Sequence, residues 1–257
     1  MHTDAQVRKA GGRLSREDQR KIDEILHRVY DEVLREGVPD RFKDLLDQFE
    51  ESARAGTSQG TTSSKAFDNK GVEIMTMRSS VSDAMLAAVP RLRAFAISLC
   101  GNVDRADDLV QETLLRAMAN IDSSQPGTNM LAWLFTILRN LFRSEYRKRR
   151  REVEDNEGTY AESLKLHPEQ HSRVEFAEFR AALAKLPPDQ REALILVGAS
   201  GFSYEEAAAI CDCAVGTLKS RVNRARTRLS DLLSIDGTDD LGPDPATRAI
   251  LSAGGRG

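Results

Sequence analysis

The stretch GFSYEEAAAICDCAVGTLKSRVNRARTRLSDLL, Gly201 to Leu233, decides how the rest of the chain is read. Ser203 and Glu206 have the S-x-x-E spacing of a capping box. They open a short helix in which Ala207, Ala208 and Ile210 suit close packing, and Cys211 to Ala214 makes a tight turn. Beyond the turn, Val215, Leu218, Val222, Ala225, Leu229 and Leu232 recur at steps of three and four, which makes one continuous buried seam. Thr217, Ser220, Arg224 and Arg228 fall on roughly the opposite side, flanked by Lys219, Arg221 and Arg226. A short helix, a tight turn and a longer basic helix follow helix-turn-helix logic. The first helix braces the second, whose N-terminal half enters the major groove. Thr217, Ser220 and Arg221 then reach base edges, while Lys219, Arg224, Arg226 and Arg228 are better placed for phosphates. A packed, solvated helix pair also explains the seam, but the turn and the basic face together favour DNA.

The remainder of the chain fits an all-α protein. Its 257 residues allow one large domain or two to three small ones. Aromatic residues make up only 5%, runs rich in Val, Ile and Thr are scarce, and helical spacing recurs throughout. The net charge of −3 hides a strong asymmetry: Arg139 to Arg151 holds seven basic residues and one acid, and Lys219 to Arg228 five and none. Such local clusters point to nucleic acid better than the overall balance does, although one cluster alone is equally a solvated helix face. Three cysteines make no disulfide framework and fit a reducing cytoplasm. The first residues lack the apolar core of a signal peptide, and the longest apolar run, Ala193 to Ala199, is too short to span a bilayer.

The expected organisation is as follows: a disordered start (1–14), a two-helix segment (15–51), a small-polar linker (52–81), a helical domain (82–151), an acid-rich linker (152–173), a second helical unit (174–233) and a disordered tail (234–257). In the two-helix segment, Ser15 suits an N-cap, and Ile22, Ile25, Leu26, Val29 and Val33 form an amphipathic stripe. Gly37 suits the left-handed end of that helix and Pro39 the first turn of the next. Phe42, Leu45, Leu46 and Phe49 give the second helix its stripe. Two such short helices cannot build a stable core alone, so their stripes need a partner surface. In the central domain a long helix from Met130 carries Leu131, Leu134, Phe135, Leu138, Leu141 and Phe142 on one face, and Arg139, Arg143, Arg147 and Arg150 on another.

Enzyme chemistry finds no support: there is no glycine-rich phosphate loop, no nucleophile with its base and no complete metal set. Cys211 and Cys213 with His167 and His171 superficially suggest zinc. The cysteines, however, flank the turn and His167 precedes Pro168 in a linker. The acids Asp107, Asp108 and Glu112 share one helix, which makes a poor metal cage. No cofactor is expected.

DQREALILVGASGFSYEEAAAICDCAVGTLKSRVNRARTRL resembles region 4 of an extracytoplasmic-function (ECF) sigma factor, which reads the −35 promoter element. DRADDLVQETLLRAMANI followed by QPGTNMLAWLFTILRNLFRSEYRKRR resembles region 2, which binds the RNA polymerase clamp and opens the −10 element. The wording is closest to the alphaproteobacterial general-stress group, EcfG, over about residues 82–233. The resemblance implies that Asp107, Asp108, Leu109, Gln111 and Glu112 belong to the helix that meets core polymerase. It implies that the loop at Ser123 to Met130 holds a flipped base, with Asn129 as a polar contact, and that Arg139, Arg143, Arg147 and Lys148 follow the DNA backbone. Trp133 is placed to stack on a base, although its setting amid Leu131, Leu134 and Phe135 favours core packing. Ser124 departs from the family, which tends to place an aromatic there. KIDEILHRVYDEVLREGVPDRFKDLLDQFEE resembles the anti-sigma factor NepR over about residues 15–51, carried by Val38-Pro39-Asp40-Arg41-Phe42 and Leu45-Leu46.

In the NepR family two helices lie on regions 2 and 4 and hide the polymerase-binding surface, until the phosphorylated response regulator PhyR removes them with a sigma-like decoy. The resemblance therefore implies a cytoplasmic sigma factor fused to its own inhibitor, which masks it in cis or in trans, with Val38 and Pro39 joining the two stripes as anti-sigma contacts. Its partners would be core RNA polymerase, promoter DNA and a PhyR-like regulator. A tether of about 30 residues between the parts reaches roughly 30 Å and permits contact within one chain. The alternative is a sigma-like adaptor that binds an anti-sigma factor without promoter activity. The retained basic groove-facing set opposes it.

Overall fold

The structure, a computed structural model, describes residues 14–57, 69–121, 129–155 and 172–233. The expected terminal tails, Ser124, His167, His171 and the side chain of Phe49 lie outside the described residues. Among those described the fold is all helical. The order is α1 (Arg16–Arg35), α2 (Asp40–Thr57), α3 (Asn69–Cys100), α4 (Val103–Ala119), α5 (Met130–Asp155), α6 (Ser172–Ala184), α7 (Pro188–Gly198), α8 (Tyr204–Ile210) and α9 (Val215–Leu233). No described helix is long and apolar enough to cross a membrane.

Local chemistry sets the helix ends. The Ser15 side chain accepts the Asp18 amide at 3.0 Å and starts α1. Gly37, at φ +72°, takes the left-handed conformation that ends α1, and Pro39 directly precedes α2. Asn102 caps α4 by accepting the Arg105 amide at 2.8 Å. At α8 both halves of the capping box are made: the Glu206 amide donates to Ser203 Oγ at 3.1 Å, and the Ser203 amide to Glu206 at 2.9 Å. Because of these bonds the Glu206 carboxyl sits below its usual range, the Ser203 backbone bond being the largest cause. The turn to α9 holds Asp212 at φ 47°, a conformation that Asp tolerates better than most residues.

Packing follows the stripes. Helices α3, α4 and α5 form one bundle, and α6 to α9 form a second. Helix α1 lies against α3 of the first bundle and α6, α7 and α9 of the second, while α2 lies against α3. The buried apolar residues of all three parts join in one core. Phe135 of α5 bridges the two bundles, with ring centroids 4.9 Å from Phe95 of α3 and 4.9 Å from Phe202 of the α7–α8 loop.

The tether is shorter than the expected linker over 52–81. Helix α2 runs on to Thr57 and α3 begins at Asn69, so eleven residues, 58–68, separate them. Ala53, Arg54 and Ala55 favour continuing the first helix, and Lys70, Met75, Met77 and Arg78 favour an early start for the second. The small polar residues that mark a linker are concentrated between them. Helix α5 likewise continues to Asp155, into the segment expected as the second linker.

Candidate nucleic-acid interface and the helical clasp over it

The seam of α9 is Leu218, Val222, Ala225 and Leu229, all fully buried; of the two expected ends, Val215 is half-buried and Leu232 is exposed, where the helix runs past the core. Thr217, Arg224 and Arg228 are exposed on the far side, and Ser220 is half-buried. Lys219 lies 5.5 Å from the centroid of the Tyr204 ring. Two of the expected DNA contacts are engaged elsewhere. Arg221 pairs with Asp189 of α7 at 3.2 Å. Arg226 holds the Asp23 carboxylate of α1, Nη2 to Oδ2 at 2.8 Å and Nε to Oδ1 at 3.1 Å. The reason is angular: both arginines flank the seam rather than oppose it, so packed helices cover them.

The basic face of α5 is divided in the same way. Arg147 and Lys148 are exposed. Arg139 is 4% exposed and Glu192 of α7 is 0% exposed. Arg139 Nε lies 3.2 Å from both Glu192 oxygens, and its Nη2 donates to the Cys211 carbonyl, in the turn before α9, at 2.7 Å. Arg143 adds Nη2 to Glu192 Oε1 at 2.9 Å. Arg139 and Arg143, expected to follow the DNA backbone, here hold the second bundle. They flank the α5 stripe next to Phe135 and Phe142, and the second bundle covers that flank. Asn129 caps α5 by accepting the Ala132 amide at 3.3 Å, and it donates to Glu206 at 3.4 Å. Trp133 is half-buried and packed against the core.

The acidic helix α4 is covered in part. Asp107 is 3% exposed. It takes Arg93 Nε at 2.7 Å and is also bound by Arg41 of α2, while Arg93 in turn binds Glu36 at the end of α1. Leu109 is buried in the first bundle, since Ala106, Leu109, Val110, Leu114 and Ala117 form the inward stripe of α4. It therefore supports the helix and presents no contact surface. Asp108 and Gln111 are exposed, and Glu112 accepts Arg116 at 2.7 Å on the same helix.

Over both bundles lies the two-helix clasp. Ile22, Ile25, Leu26, Val29 and Val33 of α1 and Phe42 and Leu46 of α2 are buried; Val38, Pro39 and Leu45 are half-buried. The Tyr30 hydroxyl donates to the Arg91 carbonyl of α3 at 2.8 Å and accepts from Ser200 Oγ, after α7, at 3.0 Å. Burial pushes its pKa up to about 12. Arg91 also donates to the Ser200 carbonyl at 2.9 Å, and Arg180 of α6 to Glu32 of α1 at 2.8 Å. Among the described residues no group of three His, Cys, Asp or Glu side chains is gathered for a metal.

Comparison with known proteins matches these parts one by one. Residues 176–229 match Sigma-70 region 4, residues 85–152 match Sigma-70 region 2, and residues 19–53 match the anti-sigma factor NepR. The ECF RNA polymerase sigma factor EcfG of Rhodopseudomonas palustris is 72% identical over 181 residues, which are 70% of this chain and 100% of that protein. The chain belongs to the ECF RNA polymerase sigma factors. SigE, an ECF sigma factor of Mycolicibacterium smegmatis, is 35% identical over 74% of each chain. Among solved structures, the sigma factor RpoE of Bartonella quintana, crystallised in complex with the anti-sigma factor NepR, is 56% identical, covers 61% of this chain and 98% of its own, and has a TM-score of 0.56.

This sigma factor thus carries a NepR segment at its N-terminus, and helices α3–α5 and α6–α9 are its regions 2 and 4. Several residues of the clasp and of the contacts between the regions escape a reading by apolar stripes. Tyr30 extends the stripe four residues beyond Leu26 and was within reach of the periodicity. Glu192 stands out as an acid three residues before buried Ile195 on the same helix. Asp23, Glu36, Arg41 and Arg93 carry no such mark, because their partners come from distant parts of the chain.

Proposed function

We propose that the chain directs core RNA polymerase to promoters of the general stress response and is held inactive in cis by its NepR segment. In this reading Thr217, Ser220, Arg224 and Arg228 read and grip the −35 element. Arg147 and Lys148 follow the backbone near the −10 element, joined by Arg139 and Arg143 once the regions separate. Asp107, Asp108, Gln111 and Glu112 meet the polymerase, which performs the chemistry in the cytoplasm. The observation that carries the reading is the binding of Asp107, on the polymerase-facing helix, by Arg41 of the clasp. The same segment occupies the flank of α9 through Asp23. A phosphorylated PhyR-like regulator offering a sigma-like surface would compete for α1 and α2 and release both regions.

The test is in vitro transcription with core polymerase on a stress promoter, comparing the full chain with one lacking residues 1–57. Removal of α1 and α2 should raise promoter-dependent transcription. Equal rates would sink the inhibitory role, and no transcription from either form would favour an adaptor.

A further inference from the structure

Helix α1 meets α7, α9 and the loop after α7 along one line, while Glu32 pairs separately with Arg180 of α6. Asp23, Leu26 and Tyr30 follow at i, i+3 and i+7 and therefore stand on one side of the helix. Each addresses a different chemistry. The Asp23 carboxylate receives the fork of Arg226, with contacts at 2.8, 3.0 and 3.1 Å. Leu26 lies over Gly198 so closely that a Cβ there would come within 3.0 Å of Leu26 Cδ2 and 3.5 Å of Asp23 Oδ1. Tyr30 receives Ser200 Oγ at 3.0 Å.

Gly198 is the informative member. It ends α7 with no positive φ, and glycine is a poor helix residue. Backbone conformation therefore does not call for glycine here. The approach of α1 disfavours a side chain there, since Leu26 would have to give by a few tenths of an ångström even for one methyl. We propose that this three-point match, Asp23–Leu26–Tyr30 against Arg226–Gly198–Ser200, is the specificity determinant that pairs the inhibitor helix with this region 4. Charge, shape and a hydrogen bond are tested at once. A region 4 with an acid at position 226 repels Asp23. One with a bulky residue at 198 lifts α1 away, and one without the hydroxyl at 200 withdraws the donor from a buried phenol. The proposal rests on the inhibitory reading of α1 and α2 given above.

Hydrogen exchange on the full chain tests it, with amides of α7–α9 and α3–α5 as the internal control of folding. Gly198→Leu should speed exchange across α1 by about tenfold to hundredfold, and Gly198→Ala by less, since one methyl meets only the tip of Leu26. Asp23→Arg should also free α1, and combining it with Arg226→Asp should restore protection. An α1 that stays protected in Gly198→Leu, or a charge swap that restores nothing, overturns the match. Should Gly198→Leu disturb α7–α9, the swap decides. Transcription measured on the same variants separates the two readings. Freed α1 without a rise in transcription overturns the inhibitory role and leaves the match standing. Protected α1 in Gly198→Leu overturns the match and leaves inhibition standing.

Discussion

Two buried carboxylates, Asp107 on α4 and Glu192 on α7, each sit between two guanidinium groups, yet they do different work. Asp107 takes Arg93 from region 2 and Arg41 from the clasp. Glu192 takes Arg139 and Arg143, both from region 2, and so ties region 2 to region 4 without the clasp. When α1 and α2 leave, Asp107 loses one partner, keeps the other and regains water. Glu192 keeps both partners until the two regions part. Loss of the clasp and separation of the regions therefore break different electrostatic contacts. The second is the more deeply buried, since Arg139 is 4% exposed whereas Arg41 is 49% exposed.

That contrast can be broken at either end. Arg139→Leu should have the largest effect, because it removes the more deeply buried partner of a buried charge. A loss of about 3–5 kcal/mol in closed-state stability is expected, measured by urea unfolding. A loss below about 1 kcal/mol would mean that Arg143 and water suffice at Glu192. Arg41→Ala should be milder, about 1 kcal/mol, because Arg93 remains on Asp107 and Arg41 is half in water. Read as transcription, this is a gain of roughly fivefold over the full chain.

The smallest effect at ordinary pH concerns Tyr30. Its folded pKa is raised from 10.0 to about 12. The folded protein thus holds a proton that the unfolded chain gives up, and stability falls as pH rises between those values. The Cys211 thiol, pushed by burial from 9.0 to about 12, acts in the same direction from about pH 9 upward. Unfolding midpoints should be insensitive to these two groups up to pH 9 and should decline above it. Tyr30→Phe should flatten the part of that decline above pH 10. An unchanged slope would mean that the phenol is not sealed by the clasp.

The sequence made some of this legible and hid the rest for a physical reason. Periodicity marks Ile22 to Val33 and Leu218 to Leu229, because burial acts on every third or fourth residue of one helix. Capping marks Ser15, Ser203 and Glu206, because the partners lie within three residues. The fates of Arg139, Arg143, Arg221 and Arg226 were not visible, since a charged residue at the flank of a stripe faces solvent or a neighbour depending on tertiary packing. Leu109 shows the same limit from the other side: a motif assigns it to a contact helix, and the helix turns it inward. The lengths of α2 and α3 also depend on context, for no proline lies between them to fix an end.

Arg139 has one further consequence. Its guanidinium spans Glu192 and the Cys211 carbonyl, and so links a region 2 helix, a region 4 helix and the turn that aims α9. Substitution at position 139 leaves Glu192 with Arg143 alone, substitution at 192 strands the buried Arg139, and lysine, which lacks the planar fork, cannot reproduce all the contacts. The two regions are thereby coupled through one charged contact, and a region 4 without an acid at position 192 would leave the region 2 arginines without their partner.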